Sequence, residues 1–218
     1  MAELQSEKPP RPNVIQFEGV LRLGTHDVPV KLSSSASRIA IVGPSGVGKT
    51  SLLRALAGLS RINGTVRVGD QMWEGPQAWV EPWKRGVGWV PQDPTLFPHR
   101  SVAENLTWSA VNDYATPLGL VHLLHRRPRR VSGGERQRVA LGRGLAAAQS
   151  LVLLDEPFSA LDEAMRERVA SWLLRTCGER ELPLILVSHD TRDVAMIAEE
   201  TYQMTPQGLV HVPARASA

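Results

Sequence analysis

Residues 43–50 read GPSGVGKT, a glycine-rich string that ends in a lysine and a threonine. The three glycines let backbone N–H groups turn towards a polyphosphate, because a Cβ would block either the turn or the approach. Lys49 then supplies a charge to the β and γ phosphates, and Thr50 offers a hydroxyl to Mg²⁺. A purely structural glycine turn would not need the Lys-Thr pair. The string therefore predicts a nucleotide site between a strand at 38–42 and a helix that begins at Lys49.

Polar residues that suit hydrolysis follow two apolar runs. The runs 151–154 and 184–187 predict central, buried strands, and Asp155, Glu156 and His189 come just after them. Open α/β sheets place their ligands at the carboxyl ends of strands. We expect Asp155 to hold Mg²⁺, directly or through water, and Glu156 to accept a proton from the water that attacks the γ-phosphate. Two adjacent acids can also merely cap a strand, and a histidine at a strand end is often structural.

A second glycine string, VSGGERQRV at residues 131–139, precedes a helix of small residues. Ser132 suits an N-cap, and the two glycines after it expose backbone N–H groups at a helix start that favours a phosphate. The chain thus has two helix starts suited to phosphate. They predict either two separate sites on one chain or one site shared across a two-fold dimer.

The elements that must position these residues form an α/β pattern. Short apolar strands alternate with helices, which predicts a mostly parallel central sheet covered on both faces. A looser alternation in the first strands predicts an antiparallel, half-exposed N-terminal sheet. The predicted strands are 13–23, 28–32, 38–42, 64–68, 86–90, 151–154, 184–188 and 201–204. The predicted helices are 49–58, 101–109, 117–125, 134–148, 163–177 and 190–199.

Length and composition restrict the class of protein. The 218 residues suffice for one core with a small subdomain, and 25 basic against 22 acidic residues is too even to argue for a nucleic acid or an anionic membrane. The single cysteine, Cys177, excludes an internal disulfide and falls in a helical pattern that favours buried packing. No apolar run reaches the roughly 18 residues of a membrane span. The polar ends 1–12 and 213–218 are predicted to be loose.

As an ordered set, these motifs resemble the ATP-binding cassette (ABC) ATPase family over about residues 13–210. The resemblance implies a P-loop NTPase cassette that fills one domain, 13–212, with an N-terminal antiparallel β subdomain and a small α-helical subdomain at about 93–134. The matching strings are the phosphate loop 43–50, the glutamine-loop Gln92, the signature 132–135, the strand 151–155 with Glu156, the D-loop 159–162 and the switch histidine His189.

The resemblance also implies how the two helix starts cooperate. ATP would lie between residues 43–50 of one chain and 132–134 of a second copy in a head-to-tail dimer. Gln92 would contact Mg²⁺ and couple the site to the helical subdomain, which would dock on a membrane permease. The expected catalytic residues are Glu156, His189, Lys49 and Gln92, and the expected metal ligands are Thr50, Gln92 and Asp155. The expected nucleotide-binding residues are Gly43, Pro44, Ser45, Gly46, Val47, Gly48, Lys49, Thr50, Ser51, Ser132, Gly133 and Gly134.

Two places depart from the family pattern. The family commonly has an aromatic residue in the N-terminal sheet that stacks on adenine, and Leu23 occupies that place here, with Phe17 and His26 as possible substitutes. The second departure is the basic run 125–130, HRRPRR, just ahead of the signature. Such a run is usually a solvated face. Its functional alternatives are contact with anionic lipid headgroups or with an acidic permease loop.

Further strings indicate the kind of cassette. Residues 85–106 look like importers of small hydrophilic solutes or oxyanions, and 23–26 with 132–143 resemble molybdate importer ATPases. The string 155–162 and an end soon after the last strand, without the C-terminal regulatory domain that many molybdate and sugar importers carry, are similar to thiamine importer ATPases. The resemblance implies a peripheral ATPase on the cytoplasmic face of the inner membrane. Its partners would be permease subunits and, indirectly, an extracytoplasmic solute-binding protein.

Other classes of cassette have features that this sequence lacks. DNA-repair cassettes carry a long coiled-coil or zinc insertion, and translation-factor cassettes usually have two cassettes in one chain. Nucleic acid is therefore not an expected partner. The alternative from a different class is a non-hydrolytic, regulatory nucleotide-binding module in which Glu156 does no chemistry.

Overall fold

The computed structural model describes residues 15–106 and 111–213, and within them eleven strands and six α-helices. Residues 107–109 of the predicted second helix lie outside the described part, as do the tail 1–12 and most of 213–218. The strands are β1 Ile15–Leu23, β2 His26–Ser34, β3 Arg38–Val42, β4 Asn63–Val68, β5 Gln71–Gly75, β6 Ala78–Trp79, β7 Val87–Val90, β8 Leu151–Asp155, β9 Leu184–Val187, β10 Glu200–Thr205 and β11 Gly208–Val212. The helices are α1 Lys49–Leu56, α2 Val102–Asn105, α3 Val111–Ala115, α4 Gly133–Ala147, α5 Glu163–Glu179 and α6 Thr191–Ile197.

The larger sheet has the strand order β11-β10-β3-β9-β8-β7, and its pairs are parallel except for the β10–β11 hairpin. Every residue of β8 and β9 is buried, as their continuous apolar runs predict. Residues of β8 alternate between two hydrophobic clusters, Val152 and Leu154 on one face and Leu151 and Leu153 on the other. The sheet is therefore covered on both faces, and its β3, β9 and β8 strands end at one edge.

The smaller sheet is antiparallel, with the order β2-β1-β4-β5-β6. Along β2, buried residues alternate with exposed ones, which is the pattern of a strand with one face on the core. The predicted α/β fold with an N-terminal antiparallel sheet is thus confirmed. The predicted set lacks strands β5, β6 and β11: polar residues interrupt β5 and β11, and β6 has only two residues.

The predicted helix 117–125 is wrong. Helix α3 lies earlier, and a turn at Gly119, with φ of 64°, follows it. The N–H of Leu120 donates to the carbonyl of Ala115 at 2.8 Å, a closing bond of the kind that ends helices at a glycine. Residues Val121–Leu123 then form only a short 3₁₀ turn. The helix 101–109 also ends early among the described residues, at Asn105.

A buried arginine ties the two sheets' common core to the end of α1. Arg85 is fully buried and its guanidinium donates to the carbonyls of Ala55 and Leu56 at 3.0 and 2.9 Å, in the last turn of that helix. It also donates to the carbonyls of Val80 and Trp73 at 2.9 and 3.5 Å, and the carboxylate of Glu74 lies 3.7 Å away. The cation therefore lies at the C-terminal end of α1, where positive charge is favourable.

Cys177 is buried on α5, and burial raises the pKa of its thiol to about 11. A thiol with so high a pKa is poorly nucleophilic at neutral pH. The packing role that the helical pattern predicted is confirmed.

Candidate functional site

The phosphate loop connects β3 to α1 and is shaped by left-handed backbone positions. Gly43, Gly46 and Gly48 have φ values of 148°, 79° and 108°. A Cβ on Gly43 would lie only 2.5 Å from the carbonyl oxygen of Met204 on β10, so the loop must pass close to that strand. The Nζ of Lys49 donates to the carbonyls of Gly43 and Pro44 at 2.8 and 2.9 Å. The Lys49 side chain thus folds back onto the start of the phosphate loop.

Leu23 lies against the same loop. A Cβ on Gly48 would be 2.5 Å from Leu23 Cδ1 and 3.0 Å from the Met204 side chain, so aliphatic groups flank the loop here. Of the two predicted substitutes for an aromatic residue, Phe17 is fully buried in the core and cannot stack on a base. His26 is exposed and its Nδ1 lies 3.1 Å from the hydroxyl of Thr25.

Thr50 and Asp155 meet across the sheet edge. The Thr50 hydroxyl donates to Asp155 Oδ2 at 2.7 Å, although 105 residues separate them in the chain. Asp155 is 1% exposed, and this burial raises the pKa of its carboxyl, while the hydrogen bond from Thr50 opposes the shift. A carboxylate and a hydroxyl at a phosphate loop are the oxygen ligands that Mg²⁺ takes alongside nucleotide phosphates. The donor set fits the ion.

The described residues contain no group of three or more His, Cys, Asp or Glu side chains that could hold a metal. Mg²⁺ at nucleotide sites uses one or two carboxylates and completes its shell with phosphates and water, so this pair needs no such group.

Glu156 and His189 form the second pair at this edge. Glu156 is 8% exposed and has a φ of 50°, a strained value for a residue with a side chain. Its Oε1 lies 2.8 Å from His189 Nδ1. This hydrogen bond, and then the charge of Glu156, raise the pKa of the imidazole. The His189 side chain is 73% exposed, so the buried carboxylate is joined to a group that reaches solvent.

An ionic network that the sequence did not reveal holds the loop of His189. Arg166 of α5 donates to Asp190 Oδ2 at 2.5 Å and to Asp193 Oδ1 at 3.1 Å. Ser188 donates to the other oxygen of Asp193 at 2.8 Å, and the N–H of Asp190 donates back to the Ser188 hydroxyl at 3.1 Å. His189 sits between two residues of this network. No local pattern signals it, because its members come together only when α5 packs beside α6.

The signature string begins α4 as predicted. Ser132 is the N-cap and accepts from the N–H of Glu135 at 3.3 Å, while Glu135 accepts from the N–H of Ser132 at 2.6 Å. A Cβ on Gly134 would lie 2.7 Å from the carbonyl oxygen of Ala160, so the signature lies directly against the D-loop. Ser132 and Gly133 are exposed. The start of α4 is therefore open to solvent, although the N–H of Ser132 already donates to Glu135.

The sheet brings some predicted residues together and leaves others apart. Because β3, β9 and β8 are parallel neighbours, the phosphate loop, His189 and the Asp155-Glu156 pair follow adjacent strands at one edge. Gln92 is exposed two residues after β7, the next strand, and Ser51 is in the first turn of α1. In the part of the chain that the structure describes, no hydrogen bond or ion pair links residues 132–134 to the phosphate loop.

None of the helices within residues 15–106 and 111–213 combines the length and apolar character needed to cross a membrane.

Comparison with known proteins gives one consistent group of relatives. The chain is 40% identical over 189 residues to the molybdenum import ATP-binding protein ModC 2 of Bradyrhizobium diazoefficiens, covering 82% of this chain and 21% of that protein. It is 39% identical over 204 residues to ModC of Rhodopseudomonas palustris strain HaA2, covering 87% and 54%, and 41% identical over 177 residues to ModC of Thiobacillus denitrificans, covering 76% and 49%. The chain spans about half or less of the length of these curated relatives.

The family described as ABC transporter matches residues 26–159, more than half of the chain. This match runs from β2 to the D-loop and includes the phosphate loop, Gln92, the signature and the Asp155-Glu156 pair. Of the residues at the sheet edge described above, the match contains the phosphate loop and the Asp155-Glu156 pair, whereas His189 follows it in the chain. The chain therefore belongs to the ABC transporter family.

Proposed function

We propose that this protein is the ATP-hydrolysing subunit of an ABC importer and that it powers the uptake of molybdate or a related oxyanion. The observation that carries the proposal is the meeting of a phosphate loop, the Thr50–Asp155 pair and the Glu156–His189 pair at one edge of a parallel sheet. Each pair supplies a different part of phosphoryl transfer to water. The domain is taken as 13–212, with a helical subdomain at about 93–134.

Each residue at this edge has a defined task. The backbone N–H groups of Gly43 and of 45–48, together with Lys49, bind the polyphosphate, and Ser51 extends this contact along α1. Thr50, Asp155 and Gln92 would hold Mg²⁺, which neutralises charge on the β and γ phosphates when bound. Glu156 accepts a proton from water, and His189 orients its carboxylate.

The proposed site is completed by a second copy of the chain. Ser132 and Gly133 are exposed at the start of α4, and no described contact joins them to the phosphate loop of their own chain. In a head-to-tail dimer they would contact the γ-phosphate held by the other copy, where helix N–H groups stabilise developing charge. Hydrolysis would then require both chains.

The proposed cargo and partners follow from the relatives, which are named for molybdenum import. The partners would be integral-membrane permease subunits and, indirectly, an extracytoplasmic solute-binding protein. The protein would work as a peripheral subunit on the cytoplasmic face of the inner membrane. ATP binding and release would shift the permease between two states by stabilising one of them more than the other.

Hydrolysis is tested with Glu156→Gln against the exposed control Arg175→Gln. We expect Glu156→Gln to bind Mg·ATP normally and to lose at least about 99% of its phosphate release, since a positioned general base contributes about 10² to 10⁴ in rate. The control should keep full activity. Hydrolysis that survives Glu156→Gln would remove the base from the proposal, and an inactive wild-type chain that binds ATP would favour the regulatory module.

Sharing of the site is tested by mixing two inactive variants. Lys49→Ala disables the phosphate loop, and Gly133→Asp places a negative charge at the signature, where a Cβ meets only the Arg136 side chain at 3.9 Å. A mixed dimer contains one site built from the intact loop of one copy and the intact signature of the other. We expect the mixture to regain hydrolysis that neither variant has alone. A mixture that stays inactive would contradict a shared site.

Cargo is tested by measuring elemental molybdenum in cells that lack this gene and grow in scarce molybdate. We expect the wild-type chain to restore the metal content and Glu156→Gln not to restore it. Unchanged molybdenum in the deletion strain would remove molybdate from the proposal, and thiamine uptake in the same strain would then test the other cargo.

A further inference from the structure

A basic groove lies on the surface away from the residues of the nucleotide site. It has a volume of about 600 Å³ and is lined by Pro98 and six side chains that can carry positive charge. These six, which we call the arginine groove, are His99, His125, Arg126, Arg127, Arg129 and Arg130.

Within the described residues, little compensates the positive charge of the groove's arginines. Across residues 15–106 and 111–213, no side chain or carbonyl accepts a hydrogen bond or forms an ion pair with the guanidinium groups of Arg126, Arg127, Arg129 and Arg130. The charge of Glu104 interacts with that of Arg127, but the Glu104 carboxylate also accepts from the N–H of Ser101 at 2.6 Å. Concentrated charge of one sign raises the free energy of the folded chain unless something compensates it.

The groove has a fixed frame even though its charged groups are exposed. The N–H of Val102 donates to the carbonyl of Arg126 at 2.8 Å, and that of Ala103 donates to Leu124 at 3.0 Å, so its two walls are joined by backbone bonds. Pro128 is buried at the start of the 3₁₀ turn Pro128–Arg130. The guanidinium groups are therefore held on a preformed backbone rather than on a free tail.

We propose that the arginine groove is a binding site for a ligand with several phosphate-type oxyanion groups. Guanidinium groups match the oxygens of phosphate in pairs, and one tetrahedral anion can engage only two or so of them. Four arginines and two imidazoles in one groove thus suit a ligand with more than one anionic group. The ligand's source is either a soluble polyphosphate or the headgroups of anionic phospholipids.

The lining excludes two other ligand classes. Single-stranded nucleic acids bind grooves in which aromatic rings stack on bases, and no Trp, Tyr or Phe lines this groove. Apolar ligands need an apolar lining, which six cationic side chains do not provide. A nucleotide also belongs to the phosphate loop, whose residues are absent from this lining.

The groove is directly connected to the signature. Arg130 is followed by the buried Val131 and then by Ser132, the N-cap of α4, and Arg136 donates to the carbonyl of Val131 at 3.0 Å. A ligand bound to Arg130 would therefore lie two residues before the N-cap of α4. A headgroup or a soluble polyphosphate bound in the groove would therefore lie next to the helix start that completes the proposed site.

The test measures binding of the chain to two probes and, for comparison, to poly-aspartate. The first is inorganic tripolyphosphate, titrated in the Lys49→Ala background so that the phosphate loop does not bind it. The second is sedimentation with phosphatidylcholine vesicles, with and without phosphatidylglycerol. Each probe is applied to Arg126→Gln/Arg129→Gln and to the matched control Lys84→Gln/Arg175→Gln, which removes the same charge from exposed residues elsewhere.

We expect the groove variant to weaken binding about tenfold or more, because charge-assisted hydrogen bonds are lost, and the control to change it little. Binding of tripolyphosphate identifies a soluble ligand, and binding only of vesicles with phosphatidylglycerol identifies a headgroup. Equal losses in both variants, or no binding of either probe, would overturn the proposal. So would binding of poly-aspartate alone, which would assign the groove to an acidic protein segment.

Discussion

Asp155 is buried at the point where we propose that it holds Mg²⁺, and burial without a cation makes its negative charge costly. Because burial raises its pKa, the charged form destabilises the fold once the pH rises through that value. Asp155→Asn keeps an acceptor for Thr50 and removes the charge. We expect the nucleotide-free variant to be more stable than wild type at neutral pH, and Mg²⁺-dependent nucleotide affinity to fall about tenfold or more.

Denaturant unfolding and calorimetric titration of a non-hydrolysable ATP analogue, with Mg²⁺ or with EDTA, measure the two effects. The EDTA titration is the control and should change little. An unchanged Mg²⁺ dependence would remove Asp155 from the metal ligands.

The pairing of His189 with Glu156 depends on pH. The carboxylate raises the pKa of the imidazole, so their pairing stabilises the folded chain below the unfolded-state pKa and fades as pH rises through the folded-state pKa. Solvent screens this contribution, since the His189 side chain is 73% exposed. In Glu156→Gln we expect the His189 pKa to fall, and an NMR titration of the ring protons measures it. A pKa that does not move would mean that the pair does not form in solution.

Single residues of the site were largely predictable because their motifs fix both type and spacing. Lys49, Thr50 and the pair Asp155-Glu156 stand where the phosphate loop and the strand end require them. Arg166 was not predictable, because its partners Asp190 and Asp193 are brought to it only by helix packing. A phosphate site can be recognised from consecutive residues. An ion pair between two helices cannot, because its members are far apart in the sequence.

At the scale of elements, helices α5 and α6 are joined by a partly buried ionic network. Asp193 is buried, and burial raises its pKa, while hydrogen bonds from Arg192 and then Arg166 lower that of Asp190. Arg166→Met would leave the Asp193 carboxylate without its cation. We expect unfolding free energy at neutral pH to fall by about 3 kcal/mol, the cost of breaking one partner of a buried pair.

The double variant Arg166→Met/Asp193→Asn should recover part of the loss, because the unpaired charge is then gone. Denaturant unfolding measures stability. Hydrolysis by the single variant, assayed well below its unfolding temperature, measures how far the His189 loop depends on the network. A single variant as stable as wild type would show that the network carries no stability.

Elements were predicted best where the pattern was long or continuous. The apolar runs of β8 and β9 and the capped helix α4 were found within a residue or two at their ends. The prediction of a helix at 117–125 was wrong because Gly119 adopts a left-handed conformation, which ends a helix. The spacing of apolar residues does not reveal the effect of a single glycine. Strand β6 has two residues, too few to carry a pattern.

At the scale of the whole molecule, partly buried hydrogen bonds to Glu200 join the two sheets. Ser34 of the antiparallel sheet donates to Glu200 Oε2 at 2.8 Å, and the hydroxyl of Tyr202 donates to the same oxygen at 3.1 Å. Burial, with Glu200, raises the pKa of Tyr202 to about 12. Because the neutral phenol is favoured in the folded chain, its contribution to stability is lost as pH rises from about 10, the ordinary value, towards that pKa.

Tyr202→Phe should therefore lower unfolding free energy by about 1 kcal/mol at neutral pH, the net worth of one hydrogen bond. The difference between variant and wild type should shrink above about pH 11, where the phenol ionises more readily in the unfolded chain. Denaturant unfolding at the two pH values measures both numbers. A difference that is constant with pH would contradict the raised pKa.

Strand order also determines when the residues of the proposed nucleotide site come together during synthesis. Strand β9, at residues 184–187, lies between β3 and β8, although both of these precede it in the chain. A nascent chain that has emerged only as far as β8 carries the phosphate loop and Asp155, yet has no strand to hold them in register. The phosphate loop and Asp155 are therefore brought into register at one edge only after β9 has been inserted between their strands.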